Sequence, residues 1–185
     1  MSQRKTEHSE DSSSLNTARR AALAALALPL SAPAAVDADA VAELIKRAAA
    51  KNAAFMRGDI ERWRSLTRIA ADFTLMQPFG GPASHGFDAS PERLAEMARY
   101  FRNGKTSLEV AQTYASDGMV VLVMIERQRA EVGGLPEQDW SLRVTEVYRR
   151  TGADWELAHR HADLHVRRIS LQQASAIARG LPEGG

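Results

Sequence analysis

Leu142-Arg143-Val144-Thr145-Glu146-Val147-Tyr148-Arg149-Arg150, the turn Thr151-Gly152-Ala153-Asp154, and Trp155-Glu156-Leu157-Ala158-His159-Arg160-His161-Ala162-Asp163-Leu164-His165 decide the architecture of this chain. Both long runs read with a period of two, the side-chain period of a β-strand, and the glycine-bearing turn between them makes a hairpin. By parity, Arg143, Thr145 and Val147 share one face of the first strand, and Leu142, Val144, Glu146 and Tyr148 share the other. On the second strand Trp155, Leu157, His159, His161, Asp163 and His165 fall on one face. Three of the five histidines and a carboxylate thus line up beside a tryptophan. Such a row can bind a ligand, shuttle protons or hold a metal.

Outward from the hairpin, the same alternation and turn signals place further strands at about 107–115 and 119–132, with the hairpin pair at about 140–150 and 154–166. Ser116-Asp117-Gly118 joins the first two, and Gly133-Gly134-Leu135-Pro136 is a longer connection. Segment Met119-Val120-Val121-Leu122-Val123-Met124-Ile125 is apolar at both parities, so both of its faces need cover. Helices can supply one side. The simplest cover for the other is a second copy, which predicts a homodimer through the sheet, with the C-terminal helix as the alternative cover.

The N-terminal half has a helical period. Val41, Leu44, Ile45, Ala48, Ala49, Phe55 and Met56 recur at spacings of three, four and seven. Gly58 stops that helix and Asp59 caps a short one through Trp63 and Leu66. Residues 72–77 read as a strand and Pro78-Phe79-Gly80-Gly81-Pro82 as a loop. Ser90 caps a third helix, with Pro91 in its first turn, ending near Gly104. A last helix starts at Ser170 with Gln173 as its capping-box partner and stops at Gly180 before Pro182. Helices first and then an antiparallel meander give an α+β fold, with N-terminal helices packed in a strongly bent antiparallel sheet.

The chain has 185 residues, 44% of them hydrophobic, a formal net charge of +1 and no cysteine. The charge balance gives no reason to expect a nucleic-acid partner, and thiolate chemistry is excluded. Residues 1–36 read as a disordered tail or a cleavable twin-arginine-type signal, with Arg19-Arg20, an apolar run Ala21–Leu30 and a small-residue site at Ala32–Ala34. Export is therefore expected ahead of a cytoplasmic location. The apolar run is well short of the ~20 residues of a membrane span, so no membrane partner is expected. Residues 37–180 form the domain and 181–185 a tail.

The helical start, the strand Asp72-Phe73-Thr74-Leu75-Met76, and above all 142–150 followed by 155–163 resemble the SnoaL-like branch of the nuclear-transport-factor-2-like (NTF2-like) superfamily, over about residues 38–180. The resemblance implies a cone-shaped α+β barrel, a bent sheet wrapped around helices with a pocket at its open end. It also implies no cofactor. That superfamily contains isomerases, cyclases, dehydratases, an assembly domain of a kinase and members that only bind, so the fold does not choose a reaction. The isomerase pattern of an aspartate base with tyrosine and aspartate donors has no counterpart here that can be placed residue by residue.

Strand parity then nominates a site. His159 and His161 are the candidate general bases, with Asp163 to orient them. Arg143, Arg127 and Thr145 are the candidate polar contacts of a ligand, and Trp155 and Leu157 its apolar floor. This pocket suits a small organic molecule carrying a carboxylate or enolate, which a guanidinium would pair. Alternate strand residues lie about 6.6–7 Å apart, so the H-x-H-x-D-x-H row also has ligand spacing for a metal, but a nearby arginine would repel it and no metal is assigned. The plainer reading of the row is a satisfied polar cluster where the sheet curls open. Glu126 and Glu146 come near each other on neighbouring strands, an arrangement that most simply pairs with arginine at the surface. Three functions remain open: a small-molecule-binding protein of unassigned reaction, a cofactor-free isomerase, cyclase or dehydratase using histidine and arginine, and a non-catalytic assembly module.

Overall fold

A computed structural model describes residues 38–180. The leader and the short C-terminal tail, and with them the expectation of export, lie outside the described residues. The elements are α1 (Ala38–Met56), α2 (Ile60–Leu66), β1 (Ile69–Met76), β2 (Ser84–His85), α3 (Pro91–Tyr100), β3 (Phe101–Ser116), β4 (Met119–Val132), β5 (Leu135–Asp139), β6 (Leu142–Thr151), β7 (Asp154–Leu164) and α4 (Leu171–Arg179). The strands form one sheet in the order β2-β1-β7-β6-β4-β3, with β5 added on β4. The sheet curls strongly without closing, and helices pack against it.

Local chemistry sets the helix boundaries. Gly58 takes φ +76, which a side chain rarely adopts, and its N–H closes the end of α1 on the Phe55 carbonyl at 2.9 Å. Asp59 then accepts from the Arg62 N–H, and Ser90 from the Arg93 N–H, capping α2 and α3. Ser170 and Gln173 form the expected capping box. α1 buries Leu44 and Ala48 against Val120, Leu122 and Met124 of β4 and Val144 of β6. Each fully buried branched or methionine side chain there contributes roughly 1.5–3 kcal/mol.

The sheet departs from a pure antiparallel meander. β1 runs parallel to β7, pairing Thr74 with His159 and Met76 with His161, while all other pairs are antiparallel. A parallel neighbour is reached through intervening elements, so no hairpin turn in the sequence announces it. β3 starts at Phe101, earlier than the alternation suggests, because its first residues pair with the far end of β4 (Phe101 with Val132). β5 occupies what reads as a connection; all five of its residues are exposed, so it has no buried parity to show. The C-terminal helix does not supply the cover that β4 requires: every residue of α4 is exposed. No described helix is long and apolar enough to cross a membrane.

α1, α3 and β3 meet at two glycines. A Cβ on Gly58 would lie 2.5 Å from the Ala98 carbonyl oxygen and 2.7 Å from that of Phe101, and one on Gly104 would run into the Met56 backbone. Gly58→Ala is therefore expected to cost roughly 2–4 kcal/mol, from the left-handed backbone and the clash together. Gly118→Ala, with open space around its Cβ, should stay within about 0.5 kcal/mol of the parent. Urea denaturation followed by circular dichroism measures both.

Candidate functional site

One extra residue decides which side chains of β7 face inward. Tyr148 of β6 pairs with Leu157, but the next residue back, Val147, pairs with His159, leaving Ala158 as a bulge. A bulge of one residue reverses the parity of the strand beyond it. Leu157 faces inward with Tyr148; past the bulge, Arg160 and Ala162 are the inward residues, opposite Glu146 and Val144. Without it, His159 would stand opposite Glu146 on the inner face.

Between α1 and the inner face of β4, β6 and β7 lies a cavity of about 630 Å³. Much of its wall is apolar and aromatic, and Phe55, Trp63, Phe87 and Phe101 form a chain of rings with centroids 4.5–5.7 Å apart. One side of the wall is ionic. Lys51 of α1 donates to Glu146 Oε1 at 2.7 Å and to the Tyr148 hydroxyl at 3.0 Å, and that hydroxyl donates to Glu146 Oε2 at 2.7 Å. Arg160 donates to Glu146 Oε1 at 2.8 Å and, through two nitrogens, to both oxygens of Glu126 at 3.0 and 2.7 Å. Beside this cluster Asn52 donates to Gln128 Oε1 at 3.0 Å, and Gln128 donates to the Trp140 carbonyl at 3.0 Å.

Electrostatics follow from burial and pairing. Burial alone would raise the Glu146 carboxyl, but the Lys51 and Arg160 charges and the hydrogen bonds from Lys51 and Tyr148 hold it down at about 2. Burial pushes the Lys51 ammonium below its ordinary value against the opposing pull of Glu146. Burial and the adjacent Glu146 carboxylate push the Tyr148 phenol well up, so it stays a donor. Arg160 is likewise held charged: burial opposes its charge, and the two carboxylates outweigh burial.

The residues nominated by parity divide between the two faces. Leu157 lines the cavity; Arg127, Arg143, Thr145, Trp155, His159, His161 and Asp163 do not. Thr145 lies on the outer side of the sheet by the uninterrupted alternation of β6, and His159, His161 and Asp163 lie there too, on the parity opposite to Arg160, because Ala158 shifts the register. His159 Nδ1 lies 2.6 Å from the Thr74 hydroxyl, and Asp163 is within 3.7 Å of Arg143 and 3.5 Å of His161. Arg127 pairs with Glu109 at the surface at 3.1 Å. Trp155 is half-buried against the core. Among the described residues no three histidine, aspartate or glutamate side chains converge as a metal site.

Parity counting passes over Lys51, Asn52 and Arg160, and Glu126 and Glu146 are in the interior rather than at the surface, 1% and 0% exposed. Two signals in the sequence mark them. Glu126 and Glu146 stand on otherwise apolar, core-facing parities, among Leu122, Met124, Val144 and Tyr148. On β7 the apolar residues change phase, from odd positions Trp155 and Leu157 to even positions Ala162 and Leu164. That change of phase is the trace of the bulge.

No protein-family model and no curated protein matches the chain. Several solved structures share its fold. One is a provisionally assigned dehydratase of the NTF2-like family from Streptomyces avermitilis, with 22% identity and a TM-score of 0.57 over 70% of this chain and 98% of that one. Another is an NTF2-like superfamily protein from Salmonella enterica, with 14% identity and a TM-score of 0.54 over 71% and 94%. A third, from Caulobacter vibrioides, is an uncharacterised protein with a cystatin-like fold, with 17% identity and a TM-score of 0.53 over 74% and 92%. The fold is NTF2-like, with the helices set in a curled mixed sheet.

The ionic cluster makes a stability prediction. Because the Glu146 pKa is lower in the folded chain than its ordinary 4.5, its ionised form contributes stability in full above about 4.5, and this is lost as pH falls through about 2. Urea midpoints should therefore drop between pH 5 and pH 2. Glu146→Leu strands Lys51 and one side of Arg160; at pH 7 it should cost about 3–5 kcal/mol and make the acid dependence shallower.

Proposed function

We propose that this chain is a small-molecule-binding domain whose ligand sits in the cavity between α1 and the inner face of the sheet, with no reaction assigned. The observation that carries the proposal is the composition of the cavity wall. Its volume of about 630 Å³ falls within the roughly 300–1,000 Å³ of small-ligand sites, and aromatic rings face a small, convergent polar group. The polar contacts are Lys51, Asn52, Glu126 and Gln128 rather than Arg143, His159 and His161. The reason for expecting a carboxylate or enolate rested on Arg143, which lies on the other face. A second reading, acid–base turnover without a cofactor, rests on Glu126, whose two oxygens accept only from Arg160 among the described residues.

Ala162 is 1% exposed and borders the cavity from β7. Ala162→Trp should fill the space and weaken binding of planar apolar ring compounds at least tenfold, read by quenching of tryptophan fluorescence. His161→Ala, on the outer face, should leave that binding within twofold. Equal binding by Ala162→Trp and the parent would sink the proposal.

The outer face supports a homodimer. Val121, Val123, Ile125 and Val147 lie side by side there, half-buried, flanked by Tyr114 at 61% exposure and Met76 at 44%. A contiguous apolar stripe with no cover from α4 is suited to burial against its own copy. Sedimentation should give a dimer for the parent and a monomer for Val123→Glu.

A further inference from the structure

The polar wall also indicates what kind of ligand it takes, an inference that rests on the cavity being a binding site. The four charges of the inner cluster are complete among themselves, while Asp88, Arg93 and Glu96 border the cavity at exposed positions. Lys51 and Arg160 face Glu126 and Glu146, two cations against two carboxylates, and each is engaged by direct hydrogen bonds. An ionic ligand would have to break one of these pairs in a desolvated setting, so the cluster favours an uncharged guest.

The adjoining amides are not complete. The Trp140 carbonyl can only accept, so Gln128 must turn its NH₂ toward it, and this turns the Gln128 oxygen toward Asn52. Asn52 must then present its own NH₂ to Gln128. The orientation of both amides is fixed from one end, and Asn52 Oδ1 is the atom left over. No described residue donates to it, although Asn52 is only 7% exposed and borders the cavity. At the other end of the same chain the Trp140 indole Nε1–H has no acceptor among the described residues, but it is fully enclosed by protein and does not open onto the cavity. The donor a guest can reach is Lys51, since two of its three ammonium protons are used. The wall thus carries one unmet acceptor, Asn52 Oδ1, and one unmet donor. A guest that covers these groups without pairing them forfeits their solvation, and one that pairs them does not.

The geometry points to an uncharged ligand with a flat apolar body and an amide- or lactam-like edge, its N–H given to Asn52 Oδ1 and its carbonyl accepting from Lys51. The aromatic walls hold the flat body and the amide edge meets both kinds of unmet group at once. A carboxylate offers no donor to Asn52, and a simple hydrocarbon offers neither partner.

Four compounds sharing one ring system test this on the full-length protein by tryptophan fluorescence and calorimetry: methylnaphthalene, naphthamide, N,N-dimethylnaphthamide and naphthoate. Naphthamide is expected to bind at least tenfold more tightly than each of the other three. Asn52→Leu should reduce that advantage to less than threefold. If methylnaphthalene binds and naphthamide gains nothing over it, the amide inference is overturned while the cavity remains a binding site. Tightest binding by naphthoate overturns it as well. If none of the four binds, the proposed function fails and this inference falls with it. The series on the parent protein decides the question even if Asn52→Leu does not fold.

Discussion

Three charged side chains buried in an apolar surround, Lys51, Glu126 and Glu146, and the part-buried Arg160 that joins them constrain everything else in this fold. Separately, Lys51, Glu126, Glu146 and Arg160 would each cost several kcal/mol to take out of water. They are tolerable only when they meet, and they come from α1, β4, β6 and β7. Lys51 reaches Glu146 across 95 positions of sequence, which requires α1 to lie in the curl of the sheet. Arg160 reaches both carboxylates only because Ala158 is inserted ahead of it. Helix docking, sheet curvature and the β7 bulge are therefore coupled through a single cluster.

The bulge also separates the two sides of the sheet. On the inner side lie the ionic cluster, the amide chain and the aromatic walls. On the outer side lie His159, His161 and Asp163, together with the apolar stripe of β4 and β6. One residue more or less in β7 would exchange these sets, placing imidazoles against Lys51 and leaving Arg160 outside without its carboxylates. The placement of chemistry in this protein is thus a matter of register as much as of composition.

Much of the fold was legible because its signals are local. α1 shows its buried stripe in the spacing of Leu44 and Ala48, the caps at Asp59, Ser90 and Ser170 are where a short polar side chain precedes a helix, and β4 and β6 alternate without interruption. What was not legible is non-local or silent. The parallel pairing of β1 with β7 has no turn to mark it, and the exposed β5 has no buried face. The bulge carries no glycine and no positive φ, so strict counting ran past it and placed the histidines inside. The candidate site was legible only in part: of the residues nominated by parity Leu157 borders the cavity, and Glu126 and Glu146 were visible as neighbouring carboxylates paired with arginine. Their burial follows from the company of Leu122, Met124 and Val144 rather than from their own chemistry.

The contents of the inner face also bear on assembly as a sole purpose for this domain. Pairing two copies through the outer stripe needs none of Lys51, Asn52, Glu126, Gln128, Glu146 or Arg160, since all of them border the cavity. Nor does stability favour them, because replacing buried ion pairs with apolar residues of similar volume is often neutral or stabilising. A chain whose only requirement was to fold and associate would gain by filling the cavity with leucine and phenylalanine. A cavity wall that keeps its charges mutually neutral and its amides oriented, and leaves Asn52 Oδ1 without a partner among the described residues, is what the proposed recognition of a guest would account for.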